Sequence, residues 1–166
     1  MLDYKQESMT ESITVDEVKQ KRKLIPVYQV QLVRDGSVKT CDKNITTPRQ
    51  AFDILIEYLD GADRETFVIL LLSTKNNIIG INTVSVGSLS ASIVHPREIF
   101  KPAFLCNAAS IILSHNHPSG HSDPSQQDLE VTRRLIDAGN LLGITVRDHI
   151  IIGDNTFFSF REKGLL

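Results

Sequence analysis

The stretch ILSHNHPSGHSDPSQQD, residues 112–128, gathers three histidines and two aspartates directly behind a block of isoleucine and leucine. His115 and His117 stand two apart at the end of an apolar run that reads as a strand, so the twofold alternation of strand side chains sends both off the same side. Asp128 falls in the first turn of a predicted helix, and residues 118–127 need only fold back for its carboxylate to join the imidazoles. Two histidines and one carboxylate leave a fourth tetrahedral position for water, the pattern of catalytic rather than structural zinc. Ser125 and Asp128 also form the S-x-x-D signature of a helix-capping box, a role compatible with the first.

Reading outward toward the C-terminus, Val131, Leu135, Ala138 and Leu142 recur at helical spacing, and Gly143 can close that helix. ITVRDHIIIG and NTFFSF are then expected as final strands. Toward the N-terminus, HPREIFKPAFLCNAA carries Pro96 and Pro102 and predicts two short helical pieces or one kinked helix, with His95 as a helix-start residue. Phe67–Leu72 is apolar at every position, as expected of a central strand covered on both faces, and Lys75-Asn76-Asn77 reads as a turn into a second strand. Thr47-Pro48 supplies an N-cap and a helix-starting proline, with Ala51, Leu55 and Tyr58 on one face of a helix running to about Leu59. IPVYQVQLVRDGSVKT reads as a hairpin turning at Asp35-Gly36. Residues 1–23 form a polar arm, expected to be partly disordered, whose end KQKRK is basic.

These elements predict an α/β protein with a mixed β-sheet flanked by helices, organised as the arm 1–23 and a single domain 24–166 that includes the hairpin. The chain's 166 residues, 41% hydrophobic and 23% charged, suffice for one substantial core. A net charge of −2 gives no overall attraction to nucleic acid. Cys41 and Cys106 form no CxxC pair, which argues against a disulfide framework or thiolate zinc site, and no apolar run approaches membrane-spanning length. A cytoplasmic protein without membrane contact is expected.

A metal-bound water at the two histidines needs a base, and Glu65, at the mouth of the apolar run 67–72, is the candidate, provided the fold brings it there. Asp148 and His149 are candidates for orienting a ligand histidine from behind. His121 reads as a solvated loop residue, while Asn107 and Ser114 lie near the motif without a spacing that compels a role.

The spacing H-x-H-P, six residues, S, two residues, D is met at His115, His117, Pro118, Ser125 and Asp128, and it resembles the JAMM motif of JAB/MPN-domain metalloproteases. The segments VGSLSASIVHPREIFKPAFLCNAASIILSHNHPSG and TRRLIDAGNLLGITVRDHIIIG are similar to the RadC branch of that superfamily, bacterial proteins traditionally labelled DNA repair proteins. The likeness covers roughly residues 47–166. It implies the three-layer JAB/MPN fold, related in layout to cytidine deaminases, with one zinc per chain on His115, His117 and Asp128. It further implies Ser125 as an oxyanion donor, Glu65 as general base, and a peptide or protein substrate. Asn116 stands where deubiquitinating members carry Ser or Thr, so ubiquitin-type specificity does not transfer, and the helix-hairpin-helix region of longer RadC proteins has no counterpart in these residues.

Two other readings compete with a zinc metallopeptidase. The family label suggests a DNA repair or mobile-element accessory protein that binds or cuts DNA, through Lys19, Lys21, Arg22 and Lys23. The letters HNH at 115–117 do not support it, because HNH nucleases are named for residues spread over a longer metal module. The domain could instead be a zinc-binding scaffold without catalysis. The deaminase ligand signature P-C-x-x-C is missing. Exposed strand edges would allow a homo-oligomer.

Overall fold

A computed structural model describes residues 24–40, 43–87 and 94–166. The chain divides at Gln31/Leu32 into two units, and the second carries every helix and strand among the described residues. The hairpin expected around Asp35-Gly36 is not formed: residues 24–40 have no regular secondary structure. Val27, Tyr28, Val30, Leu32 and Val33 stay exposed, and a two-stranded hairpin without a covered apolar face is at best marginal in water. The basic arm 1–23 and Cys41 lie outside the described residues.

Helix α1 (Pro48–Tyr58) begins where Thr47 and Gln50 cap each other reciprocally, with proline at the first turn. Ala51, Phe52, Ile54 and Leu55 bury one face of it, while Tyr58 stays partly exposed and its hydroxyl meets Thr83 Oγ1 at 2.8 Å. Strands β1 (Thr66–Leu72) and β2 (Ile78–Val86) form an antiparallel pair joined through the predicted turn, where Asn76 takes a positive φ. Helix α2 (Pro96–Leu105) is one helix with Pro102 inside it, and His95 Nδ1 accepts from Arg97 N–H to cap its start.

Strand β3 (Ser110–Asn116), helix α3 (Gln126–Leu142), strand β4 (Thr145–Ile152) and the short β5 (Phe157–Ser159) complete the order β2-β1-β3-β4-β5. Only β3 and β4 run parallel, with α3 as their crossover. The sheet is therefore mixed, with β3 at its centre and the wholly buried β1 beside it.

Alternation along β1 divides the core. Phe67, Ile69 and Leu71 join Ile111, Leu113 and residues of α2 and α3 on one face. Val68, Leu70 and Leu72 join Ile112, Ile150, Ile152 and α1 on the other. This is the three-layer α/β arrangement of the JAB/MPN fold. On α3 the buried stripe is Asp128, Val131, Thr132, Leu135 and Gly139, while Leu142, expected in the core, is largely outside it. Gly139 is close-packed: a Cβ there would meet the Ile144 carbonyl at 2.5 Å.

Candidate metal centre

The register places the site. Phe67 pairs with His115 across β1 and β3, so Glu65, two residues before Phe67, leaves the same face as His115 at the same end of the sheet. His115 is fully buried, and its ring stacks on Phe67 with centroids 5.7 Å apart. His117 continues the alternation just beyond β3. There the chain is held by His117 N–H donating to the Ile152 carbonyl and Gly120 N–H donating to the His117 carbonyl. Gly120 has φ +80°, and Gly153 packs so tightly on it that a Cβ would lie 2.3 Å from the Gly120 carbonyl. The loop after the histidines is thus pinned to the turn after β4.

Asp128 arrives from the opposite side, at the start of α3. Its Oδ2 accepts from the Ser125 amide at 2.8 Å and the Ser125 hydroxyl at 2.6 Å, while Asp128 N–H donates back to Ser125 Oγ. Its Oδ1 faces His115 Nε2 at 3.3 Å, and Oδ2 lies 3.8 Å from His117 Nε2. Glu65 Oε1 is 3.9 Å from His115 Nε2, and ligand atoms of Glu65, His115 and His117 all lie within 4.8 Å of one another, a group that could hold a metal ion. Glu65, His115, His117, Ser125 and Asp128, all singled out from sequence, are brought together.

Proton bookkeeping behind the ligands settles the tautomers. The Thr132 hydroxyl must donate to the Asp128 carbonyl, 2.6 Å away, because a carbonyl only accepts. Thr132 Oγ1 then accepts from His149 Nδ1 at 2.6 Å. Burial, reinforced by neighbouring His115 and His117, holds His149 well below the usual histidine range, so the ring is neutral and its Nε2 carries a lone pair. That lone pair accepts from His115 Nδ1 at 2.9 Å. Burial likewise pushes His115 down to about 3, with His117 adding to the shift and the Asp128 charge opposing it, which leaves His115 Nε2 without a proton. His117 Nδ1 faces the carbonyl of His121 at 2.7 Å and must carry its proton there.

His115 Nε2 faces His117 Nε2 across 3.0 Å beside the Asp128 carboxylate. Two imidazole nitrogens and a carboxylate oxygen converging on one spot are a donor set that fits a metal ion.

Among the remaining candidates, His149 is drawn directly behind His115. Asp148 is not: it leaves β4 on the other face, where it accepts from His149 N–H, Arg161 N–H and the Ser159 hydroxyl. Burial raises its carboxyl above the ordinary value, against the pull of those donors. Ser114 is fully buried and faces away from the cluster, with Val68 and Ile150 as its strand neighbours. His121 contributes its carbonyl rather than its exposed ring. Thr132 escaped sequence reasoning. Its signal was present, because Thr132 is one turn after Asp128 on the buried stripe, where a hydroxyl is out of place unless bonded.

Residues 45–165 match the family model described as the RadC-like JAB domain. The chain belongs to that family. It is 50% identical over 137 residues to a UPF0758 protein of Caldanaerobacter subterraneus subsp. tengcongensis, covering 81% of this chain and 59% of the relative. It is 52% identical over 122 residues to the UPF0758 protein YsxA of Bacillus subtilis, covering 74% of this chain and 53% of the relative. The chain spans little more than half the length of these curated relatives. Among the described residues no helix is long and apolar enough to cross a membrane.

Proposed function

We propose that this RadC-like JAB domain is a cytoplasmic zinc-dependent hydrolase of the JAMM type, cleaving a peptide or isopeptide bond in a protein or peptide substrate. One observation carries the reading: the Nε2 atoms of His115 and His117 converge on the Asp128 carboxylate with Glu65 beside them. The two Nε2 atoms lie 3.0 Å apart, near enough for one ion to be held by both. The donors are imidazole and carboxylate without thiolate, the set used by catalytic zinc with an open position.

Bound there, zinc would polarise a substrate carbonyl and make water acidic near neutral pH. Glu65, about a quarter exposed at the mouth of the site, would serve there as the base toward an attacking water and the acid toward the leaving amine. Ser125 holds Asp128 through the capping box; donating to a developing oxyanion would require its hydroxyl proton to turn from Asp128 Oδ2.

Purified protein from a zinc-replete preparation should contain about one zinc per chain, lost in His115→Ala and in Asp128→Ala. Glu65→Gln should keep the zinc and lose hydrolysis of a peptide or isopeptide substrate by roughly 10²–10⁴-fold. Metal-free wild-type protein overturns the reading, and zinc-loaded protein with an inert Glu65 reduces it to a binding scaffold.

A further inference from the structure

Asn116 lies between the two histidines, and strand alternation sends its side chain away from theirs. Main-chain pairing of β1 with β3 ends at Phe67 and His115, one residue short of Asn116. The carboxamide continues the ladder. Its Oδ1 accepts from Thr66 N–H at 2.8 Å, and its Nδ2 donates to the Arg64 carbonyl at 3.2 Å. Those groups belong to the two peptide units that flank Glu65. On the other edge, the Glu65 carbonyl accepts from Gly87 N–H at 2.7 Å, so residue 65 is gripped from both neighbouring sides.

We propose that Asn116 is a positioning residue: a two-point staple that fixes the backbone of Glu65 and so aims its carboxylate at the site formed by His115 and His117. The inference rests on the hydrolase reading only for what Glu65 does there; the staple itself rests on the two hydrogen bonds. Glu65 precedes the first residue of β1, two residues beyond the Phe67–His115 pair, and its Oε1 lies 3.9 Å from His115 Nε2, so the staple sits at the strand end from which the carboxylate extends. A carboxamide carries a donor and an acceptor on one rigid plane and spans both peptide groups. A serine or threonine hydroxyl has a single oxygen on a shorter stem and does not.

The test compares Asn116→Ala, Glu65→Gln and the double variant as full chains, each loaded with cobalt(II) as a visible probe of the ion's surroundings. Asn116→Ala should keep about one metal per chain and exchange the Thr66 amide proton about tenfold faster than wild type. Its cobalt spectrum should move toward that of Glu65→Gln, and the double variant should move no further. If Asn116→Ala does not fold, Asn116→Asp keeps the acceptor and loses the donor, and its cobalt spectrum is read in the same way.

Unchanged Thr66 exchange in Asn116→Ala overturns the staple. Loss of metal as in His115→Ala, or a wild-type spectrum where Glu65→Gln is altered, overturns the link to Glu65. A Glu65→Gln spectrum identical to wild type overturns instead the role given to Glu65 in the hydrolase reading, a failure that faster Thr66 exchange keeps separate from the staple.

Discussion

The consecutive residues Asp148 and His149 of β4 face opposite sides of one sheet, and the polar clusters they belong to are built on opposite principles. On the α1 side, Asp148 accepts from the Ser159 hydroxyl and from the amides of His149 and Arg161, so acceptors and donors are matched. On the α3 side, the protons of His115 Nδ1, His149 Nδ1 and the Thr132 hydroxyl all point away from the centre, and His115 Nε2 is turned toward the Asp128 carboxylate and the His117 ring. Both clusters are buried and polar. The first is complete as it stands, and the second turns donor atoms inward that could hold a cation, so the direction of the hydrogen bonds, rather than burial or polarity, separates a structural cluster from a candidate metal centre.

Breaking the chain behind His115 should have the larger effect on metal. His149→Phe removes the acceptor for His115 Nδ1–H while keeping an aromatic ring between Phe67 and Phe160. Metal affinity should fall about 10–100-fold, as for other groups that orient ligand histidines. Thr132→Val, one bond further back, should have a smaller effect in the same direction. Competition with a chelator of known affinity measures both. Unchanged affinity in His149→Phe would show that packing alone orients His115.

The same operation on the other face should separate stability from metal binding. Asp148→Ala leaves the Ser159 hydroxyl and two backbone N–H groups without their acceptor. At roughly 1–3 kcal/mol for each such group that stays buried, about 3 kcal/mol is expected, or a midpoint about 6–12 °C lower for a domain of this size. Metal affinity should stay near wild type. A loss of affinity comparable to that of His149→Phe would mean the two faces are not independent.

How far this contrast was legible in sequence follows from where its signals lie. Strand alternation put His115 and His117 on one side, and capping chemistry placed Ser125 and Asp128 at a helix start; both are local and both reappear in the fold. The wholly apolar run after Glu65 marked β1, but the pairing of Phe67 with His115 that brings Glu65 in is a long-range register that no local pattern contains. Asp148 and His149 were indistinguishable as neighbouring polar residues. Only the sheet decides which face each takes, and hence that His149 alone backs the site. The Asp35-Gly36 turn failed for the converse reason: a strong local signal whose flanking apolar residues Val30, Leu32 and Val33 stay exposed.

The smallest effect is in pH, where the two faces pull in opposite directions. His115 is held near 3, chiefly by burial, against 6.5 for an exposed histidine. Between those values the unfolded chain binds a proton that the metal-free fold refuses, so stability present above pH 6.5 is lost as pH falls toward 3, and His149 adds to the loss. Asp148 is shifted upward from 3.8 by burial, so the fold keeps its proton longer than the unfolded chain does. Its contribution is present below pH 3.8 and declines as pH rises through the raised value. The aspartate therefore partly flattens the slope that the histidines create. Urea unfolding of the metal-free protein from pH 7 to 4 should show stability falling with acid, and Asp148→Asn, which cannot titrate, should make that fall steeper. A slope unchanged by the substitution would mean that the three donors around Asp148 fully offset its burial.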